Sequence, residues 1–111
     1  MSRVHLNRRL TLEWPQKVAD GAGGYATVWQ PVGLVWAEVV PGRGDMAGDN
    51  EVLVSATAYR ITVRAAPQGS PARPQAQQRF RDASRVFHIL AVTERDRRGQ
   101  YLTCFAEEAV A

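Results

Sequence analysis

The 111-residue sequence has only one cysteine, Cys104, and only one lysine, Lys17. A single cysteine excludes an internal disulfide framework and any metal site built from thiolates alone, and it favours a reducing compartment. No apolar run approaches the roughly 18 residues that a membrane-spanning helix needs, and the N-terminus lacks the apolar stretch of a signal peptide. We therefore expect a soluble protein that is not exported and does not bind a membrane.

The sequence is also poor in signatures of catalysis. Neither His5 nor His88 lies beside a nucleophile elbow, and Cys104 is flanked by Thr103 and Phe105, as a small buried hydrophobe would be. The glycines of residues 21–24 have no following Lys-Ser or Lys-Thr of a phosphate loop. The acidic residues of segment 42–51 lack the ligand spacing of a calcium loop. We expect no catalytic residue, no metal and no cofactor, and therefore no enzyme.

Positive charge is modest overall but unevenly distributed. Fourteen basic residues, all but one of them arginine, face eleven acidic ones, for a net charge of +3. Residues 79–98 contain six arginines against three acidic residues, whereas segment 42–51 is net acidic. Arginine is suited to docking on carboxylates or phosphates. The candidate residues for a partner or subunit interface are Arg8, Arg9, Trp36, Arg79, Arg81, Arg97 and Arg98. Arg8 falls on the apolar side of its strand, so it should pair with an acid or mark an interface.

Alternation of apolar and polar residues is typical of β-strands rather than helices. It runs from Val4 to Trp14, where Pro15 is predicted to end the first strand. Further strand patterns cover residues 25–29, 34–40, 53–64, 85–92 and 101–106. With no helical stretch, the 111 residues predict one all-β domain, a small barrel or sandwich of about six antiparallel strands.

Three segments are predicted to connect these strands. The glycines after Asp20 indicate a tight turn. Residues 42–51 are predicted to be a flexible exposed loop, and the Pro-rich residues 66–78 a surface linker. The loop includes Arg43, Asp45, Met46, Asp49, Asn50 and Glu51.

Several short patterns occur in an order that resembles one known family. They are Leu-Asn-Arg-Arg-Leu-Thr-Leu at 6–12, Gly-Gly-Tyr at 23–25, Trp-Ala-Glu-Val-Val-Pro at 36–41, Tyr-Arg-Ile-Thr-Val-Arg at 59–64 and Arg-Val-Phe-His-Ile at 85–89. As a set they resemble the head-tail joining proteins of tailed bacteriophages, also called head-closure or stopper proteins. The resemblance covers about residues 6–105. The arginine-rich composition fits a prophage or a gene transfer agent equally well.

The resemblance implies a ring of identical subunits between the portal-bound adaptor protein and the tail or tail-terminator protein. Such a ring would continue the channel for passing double-stranded DNA, inside a virion or phage-like particle. The long loop of the family faces the channel and can close it, and here it corresponds to residues 42–51. We expect the first strand or the linker 66–78 to contact a neighbouring subunit or the adaptor.

Two alternatives stay open at this stage. One is a small β-barrel module that binds nucleic acid non-specifically, in which Trp14, Trp29, Trp36 and Tyr59 would form a stacking platform beside arginines. The other is a tail-terminator protein. The set of motifs favours the head-tail joining role over both.

Overall fold

Six antiparallel strands make up the fold in a computed structural model that describes residues 3–42 and 58–109. They are β1 (Arg8–Ala19), β2 (Tyr25–Pro41), β3 (Ala58–Arg64), β4 (Arg79–Asp82), β5 (Arg85–Glu94) and β6 (Tyr101–Glu108). They pair in the order β1-β2-β3-β6-β5-β4, and β4 pairs back onto β1, so the sheet closes into a barrel. The predicted all-β class is confirmed.

The barrel interior is filled by side chains from alternate strand positions. Phe80 of β4 and Phe87 of β5 are fully buried, and Leu10 and Leu12 of β1 pack with them. The other buried apolar residues are Ala37, Ile61, Val63, Ile89, Leu102, Cys104 and Ala106. A small barrel packed in this way is a core and not a pore. No helix able to cross a membrane occurs in the part of the chain that the structure describes.

The first strand differs from its prediction at both ends. Val4 and Leu6 lie outside it, and it continues through Pro15 to Ala19. Pro15 is tolerated because β1 pairs with β4 only over residues 11–13. Beyond Glu13, one edge of β1 has no ladder partner among residues 3–42 and 58–109 that needs an N–H donor.

The second strand joins two segments that were predicted as separate. It runs unbroken from Tyr25 to Pro41, and Pro31 lies within it opposite Glu13. The register shifts here, since Leu12 faces Gly33 while Glu13 faces Pro31, which leaves Val32 as the extra residue of a β-bulge. A bulge absorbs the interruption and reverses which residues of β2 face inward.

The turn between β1 and β2 is where the glycines predicted it. The Asp20 carboxylate accepts hydrogen bonds from the N–H groups of Ala22 (2.8 Å) and Gly24 (3.1 Å), and these bonds lower the pKa of Asp20. Gly21 and Gly23 have φ of +83° and +86°, which L side chains rarely adopt.

Strand β4 was not predicted as a strand, because its four residues Arg-Phe-Arg-Asp lie directly after the Pro-rich segment. That segment, residues 66–78, contains turns and no strand. Pro74 and Gln78 within it are buried, and the Arg73 guanidinium donates to the Ala66 carbonyl. Ile89 of β5 exchanges backbone hydrogen bonds with Gln77 and Gln78. The second half of this segment therefore packs against the barrel.

Candidate assembly surfaces

Two of the predicted interface arginines are held within the chain by one carboxylate. The Glu13 side chain is almost completely buried on the outer side of the barrel, where it faces Arg79 and Arg81 of β4. Arg79 Nε lies 2.7 Å from Glu13 Oε1, and Arg81 Nε lies 2.9 Å from Oε2. Both carboxylate oxygens are therefore satisfied, and Arg81, which is about half exposed, keeps part of its guanidinium accessible to a partner.

Aromatic rings extend this cluster onto β2. The guanidinium of Arg79 lies 4.2 Å from the centroid of the Trp29 ring, a cation–π contact. The Trp29 ring meets the His88 ring edge-on at 5.9 Å. Trp29 lies just beyond the bulge of β2, so this cluster lies where β1 and β2 leave the barrel.

Arg8 pairs with an acid, as its position in the strand predicted. Its Nη2 lies 2.7 Å from Oδ2 of Asp82, and both side chains are about one third exposed. Arg8 belongs to the inward-facing side of β1, so the pair lies at an end of the barrel where that side meets solvent. Arg9, its neighbour on the outward side, is exposed opposite Trp36.

A further ion pair, which the sequence did not predict, joins β5 and β6. Arg85 donates from Nε to Glu108 Oε2 (2.8 Å), from Nη2 to Glu108 Oε1 (3.0 Å) and from Nη2 to the Tyr59 hydroxyl (3.1 Å). These hydrogen bonds raise the pKa of Arg85 and lower the pKa of Glu108. The hairpin register places Glu108 opposite Phe87, so the predicted hairpin was the one available signal for this pair.

The basic turn between β5 and β6 presents arginines to solvent. Asp96 organises this turn, because its Oδ1 accepts from the N–H groups of Gln100 and Tyr101, both at 3.0 Å. Arg97 and Arg98 at its tip are exposed and line a wide groove with Tyr101. They remain candidates for contact with a partner or with DNA phosphates.

Beyond Glu13, β1 and β2 leave the barrel as a two-stranded ribbon, residues 14–30, which we call the arm. Trp14 pairs with Gln30, Gln16 with Val28, and Val18 with Ala26. Side chains directly opposite each other in an antiparallel pair share a face. The arm face is this uncharged set, and it consists of Trp14, Gln16, Val18, Ala26, Val28 and Gln30. All six residues are exposed, and Trp14 is 51% exposed.

A second apolar surface lies on the outer side of β2 within the barrel. Leu34 and Trp36 are 64% and 55% exposed and stand two residues apart on the same face. We call these two side chains the ledge. Two grooves of about 270 Å³ border these residues: Leu34 lines one with Val32 and Pro71, and Trp36 lines the other with Leu6 and Ala66. Trp36 is thus an exposed residue and not part of the core.

The four aromatics proposed as a nucleic-acid platform are not brought together. Trp14 is on the arm face, whereas Trp29 is on the opposite face of the arm under Arg79. Trp36 is on the ledge, and Tyr59 packs edge-on against the core residue Phe87 at a centroid distance of 5.1 Å. Bases could not stack on these rings in succession.

The predicted channel loop, with Arg43, Asp45, Met46, Asp49, Asn50 and Glu51, lies outside the described residues. The two ends that frame it are described: the Gly42 N–H donates to the Ala58 carbonyl at 2.7 Å. These ends lie at the opposite end of β2 from the arm.

Cys104 is buried in the barrel, as predicted. Burial raises the pKa of its thiol to about 12. Since the thiolate is the reactive form of cysteine, this side chain is unreactive at neutral pH.

Two kinds of comparison with known proteins, by family and by structure, match almost the whole length of this chain. The model of the phage head completion protein family matches residues 1–109. A chain in the virion of a native gene transfer agent particle is similar with 54% identity and a TM-score of 0.77, and the match covers 98% of this chain and all of that one. Protein SF1141 from Shigella flexneri 2a shares the fold, with a TM-score of 0.72 and 19% identity over 99% of this chain and 98% of its own. No curated protein matches.

Proposed function

The chain belongs to the phage head completion protein family, and from that premise we propose that it is a structural component of a phage-like particle that prepares the DNA-filled head for its tail. The observation that carries this proposal is the 54% identity, over essentially both chains, to a chain of a gene transfer agent virion. At that identity, fold and mode of assembly are expected to be shared. The role is structural and requires no catalysis.

We further propose that copies of the chain form a ring between the portal-bound adaptor protein and the tail or tail-terminator protein. The barrel itself is filled by its core, so DNA could pass only between copies. The arm supports assembly, because it presents two strand edges that lack ladder partners within the described residues. Contact with DNA would be non-specific, through exposed arginines such as Arg97 and Arg98.

Removing the gene from a strain that makes particles tests the head-completion role. We expect DNA-filled heads without tails in electron micrographs, loss of DNA transfer, and recovery of both when the wild-type gene is supplied. Particles that assemble tails normally without this protein would refute the role.

The proposed gate is a separate question. Residues 42–51 are net acidic, and acidic side chains in a channel would repel DNA phosphates. Deletion of residues 43–51 should leave the barrel folded, because Gly42 and Ala58 already contact each other and six residues would remain to join them. In heads without tails, this deletion should make packaged DNA accessible to nuclease. If DNA stays protected as in the wild type, the loop is no gate and the joining role is unaffected.

The nucleic-acid module is less well supported, because the four aromatics are dispersed over different surfaces. Measuring the affinity of the isolated protein for short duplexes over a range of salt concentrations separates the two functions. Sub-micromolar, steeply salt-dependent binding by the monomer would favour the module.

A further inference from the structure

The arm face is an apolar surface that nothing in the described chain covers. A two-stranded ribbon is at best marginally stable in water, and this one presents Trp14, Val18 and Val28 on a face without a single charged residue. Interface centres are depleted of charge and enriched in tryptophan. The arm face therefore has the composition of a surface that is buried in an assembly.

The ledge has the same character but faces the other way. In β1 the arm face continues the inward-facing side of Leu10 and Leu12, because β1 carries no extra residue. In β2 the bulge at Val32 places Val28 on that same side, whereas Leu34 of the ledge faces outward. One pair of hydrogen-bonded strands cannot fold its inner side onto its own outer side. The two surfaces can meet only between different copies.

We propose that the arm face of one copy packs on the ledge of the next copy, in a head-to-tail contact that repeats around a closed ring. This inference rests on the proposed ring and names the surfaces that build it. Two different surfaces of one chain that fit each other give a heterologous interface, which closes into a ring when the rotation permits.

Charge at the margins of the two surfaces is complementary. Asp20, at the tip of the arm, is fully exposed, and its backbone hydrogen bonds stabilise the ionised form. The residues opposite Trp36 on the neighbouring strands are cationic: Arg9 of β1 is paired with Trp36, and Arg64 of β3 follows Val63, which is paired with Ala37. An acidic tip and a basic border favour this pairing of surfaces.

The size of the contact agrees with a ring rather than a dimer. Six residues of strand give the arm face a length of about 20 Å, and two strands give it a width of about 10 Å. Such a face is smaller than the roughly 800 Å² per partner of an independently stable interface. In a closed ring each copy makes the contact twice, once with its arm and once with its ledge.

Engineered cysteines test the contact directly, because the native Cys104 is buried and unreactive. The double variant Val28→Cys/Leu34→Cys places one thiol on the arm face and one on the ledge. Under mild oxidation we expect a ladder of covalent multimers on non-reducing gels, both in concentrated solution and in purified particles. A mixture of the two single variants should give only the heterodimer, and each single variant alone should give no dimer.

The matched control is Thr27→Cys/Leu34→Cys, since Thr27 is exposed on the opposite face of the arm. It should give no ladder, and adding Trp14→Ser to the test pair should remove the ladder. The proposal is overturned if the control forms the same ladder, if single variants cross-link to themselves, if particles give no ladder, or if the arm thiol cross-links to another particle protein. In the last two cases tailed particles would still form, so the head-completion role would stand.

Discussion

The same two strands behave differently inside the barrel and in the arm. Within the barrel, Leu10 and Leu12 of β1 are at most 1% exposed, because the closed sheet surrounds them. Two residues further along the same side of the same strand, Trp14 is 51% exposed. The ladder between β1 and β2 continues unchanged across this boundary apart from the bulge. Alternation in the sequence thus reports which side a residue faces, while closure of the sheet decides whether that side is covered.

Glu13 marks the boundary between the two regions. It is the last residue of β1 to pair with β4, and its carboxylate binds both outward-facing arginines of that strand. The barrel end of the ribbon is therefore held by an ion-pair cluster as well as by its ladder, while its free end closes with the turn at Asp20.

The largest difference between the regions should appear when large apolar side chains are truncated. Phe80→Ala, in the core, should lower the free energy of unfolding by about 3–5 kcal/mol through lost burial and a cavity. Trp14→Ala removes an even larger side chain from the arm face and should change it by less than about 0.5 kcal/mol. Urea denaturation of the isolated protein measures both. A comparable loss in the two variants would mean that the arm is part of the folding core.

Replacing Glu13 should have an intermediate effect. Glu13→Gln keeps the size of the side chain but leaves Arg79 and Arg81 without their counter-ion, so we expect a loss of about 1–3 kcal/mol in the free energy of unfolding. Glu94→Gln, at an exposed position of β5, is the control and should stay within about 0.5 kcal/mol of the wild type. An equal effect of both variants would contradict the role of Glu13 as the anchor of the arm.

The smallest effect is expected at the ion pair between β5 and β6, away from the arm. Hydrogen bonds from Arg85 hold the pKa of Glu108 below its ordinary value, so its contribution to stability is present above that value and is lost as pH falls through the lowered pKa. Since both side chains are partly exposed, we expect Glu108→Gln to cost about 0.2–1 kcal/mol at neutral pH.

The pH dependence distinguishes this contribution from a change in packing. The stability difference between the wild type and Glu108→Gln should shrink as pH is lowered below the ordinary carboxyl range. Denaturation midpoints measured at several pH values follow it, with Glu94→Gln as the reference. If the stability difference is independent of pH, the loss comes instead from an altered contact between Arg85 and Tyr59.

Much of the fold was predictable because it depends on neighbours in the chain. The β5–β6 hairpin and the turn at Asp20 follow from alternation and glycine placement. Predictions failed where the outcome depends on distant strands. Pro15 does not end β1, because no described strand pairs with that edge of β1 beyond Glu13. The four residues of β4 are too few to show a strand pattern in the sequence. They form a strand because they pair with β1 and β5 and so close the barrel.

At the candidate surfaces, too, the sequence identified single residues but not their distant partners. The sequence identified Arg8 as a residue in need of an acid, but Asp82 is 74 positions away and only barrel closure brings it within reach. It identified Arg79 and Arg81 without Glu13, 66 and 68 positions away. It treated residues 25–29 and 34–40 as separate strands, whereas one continuous strand with a bulge at Val32 puts Val28 and Leu34 on opposite sides.

By itself, then, the sequence determined the all-β class, the positions of the tight turns and the family resemblance, because these depend on local backbone preference and on the order of short motifs. The tertiary structure alone decided where the sheet closes and that the arm face is left uncovered by the described residues. It also decided which carboxylates Arg8, Arg79, Arg81 and Arg85 meet. The physical reason is that alternation assigns a side chain to a face, while burial of that face depends on strands that are far away in the chain or, in the proposed ring, on another copy.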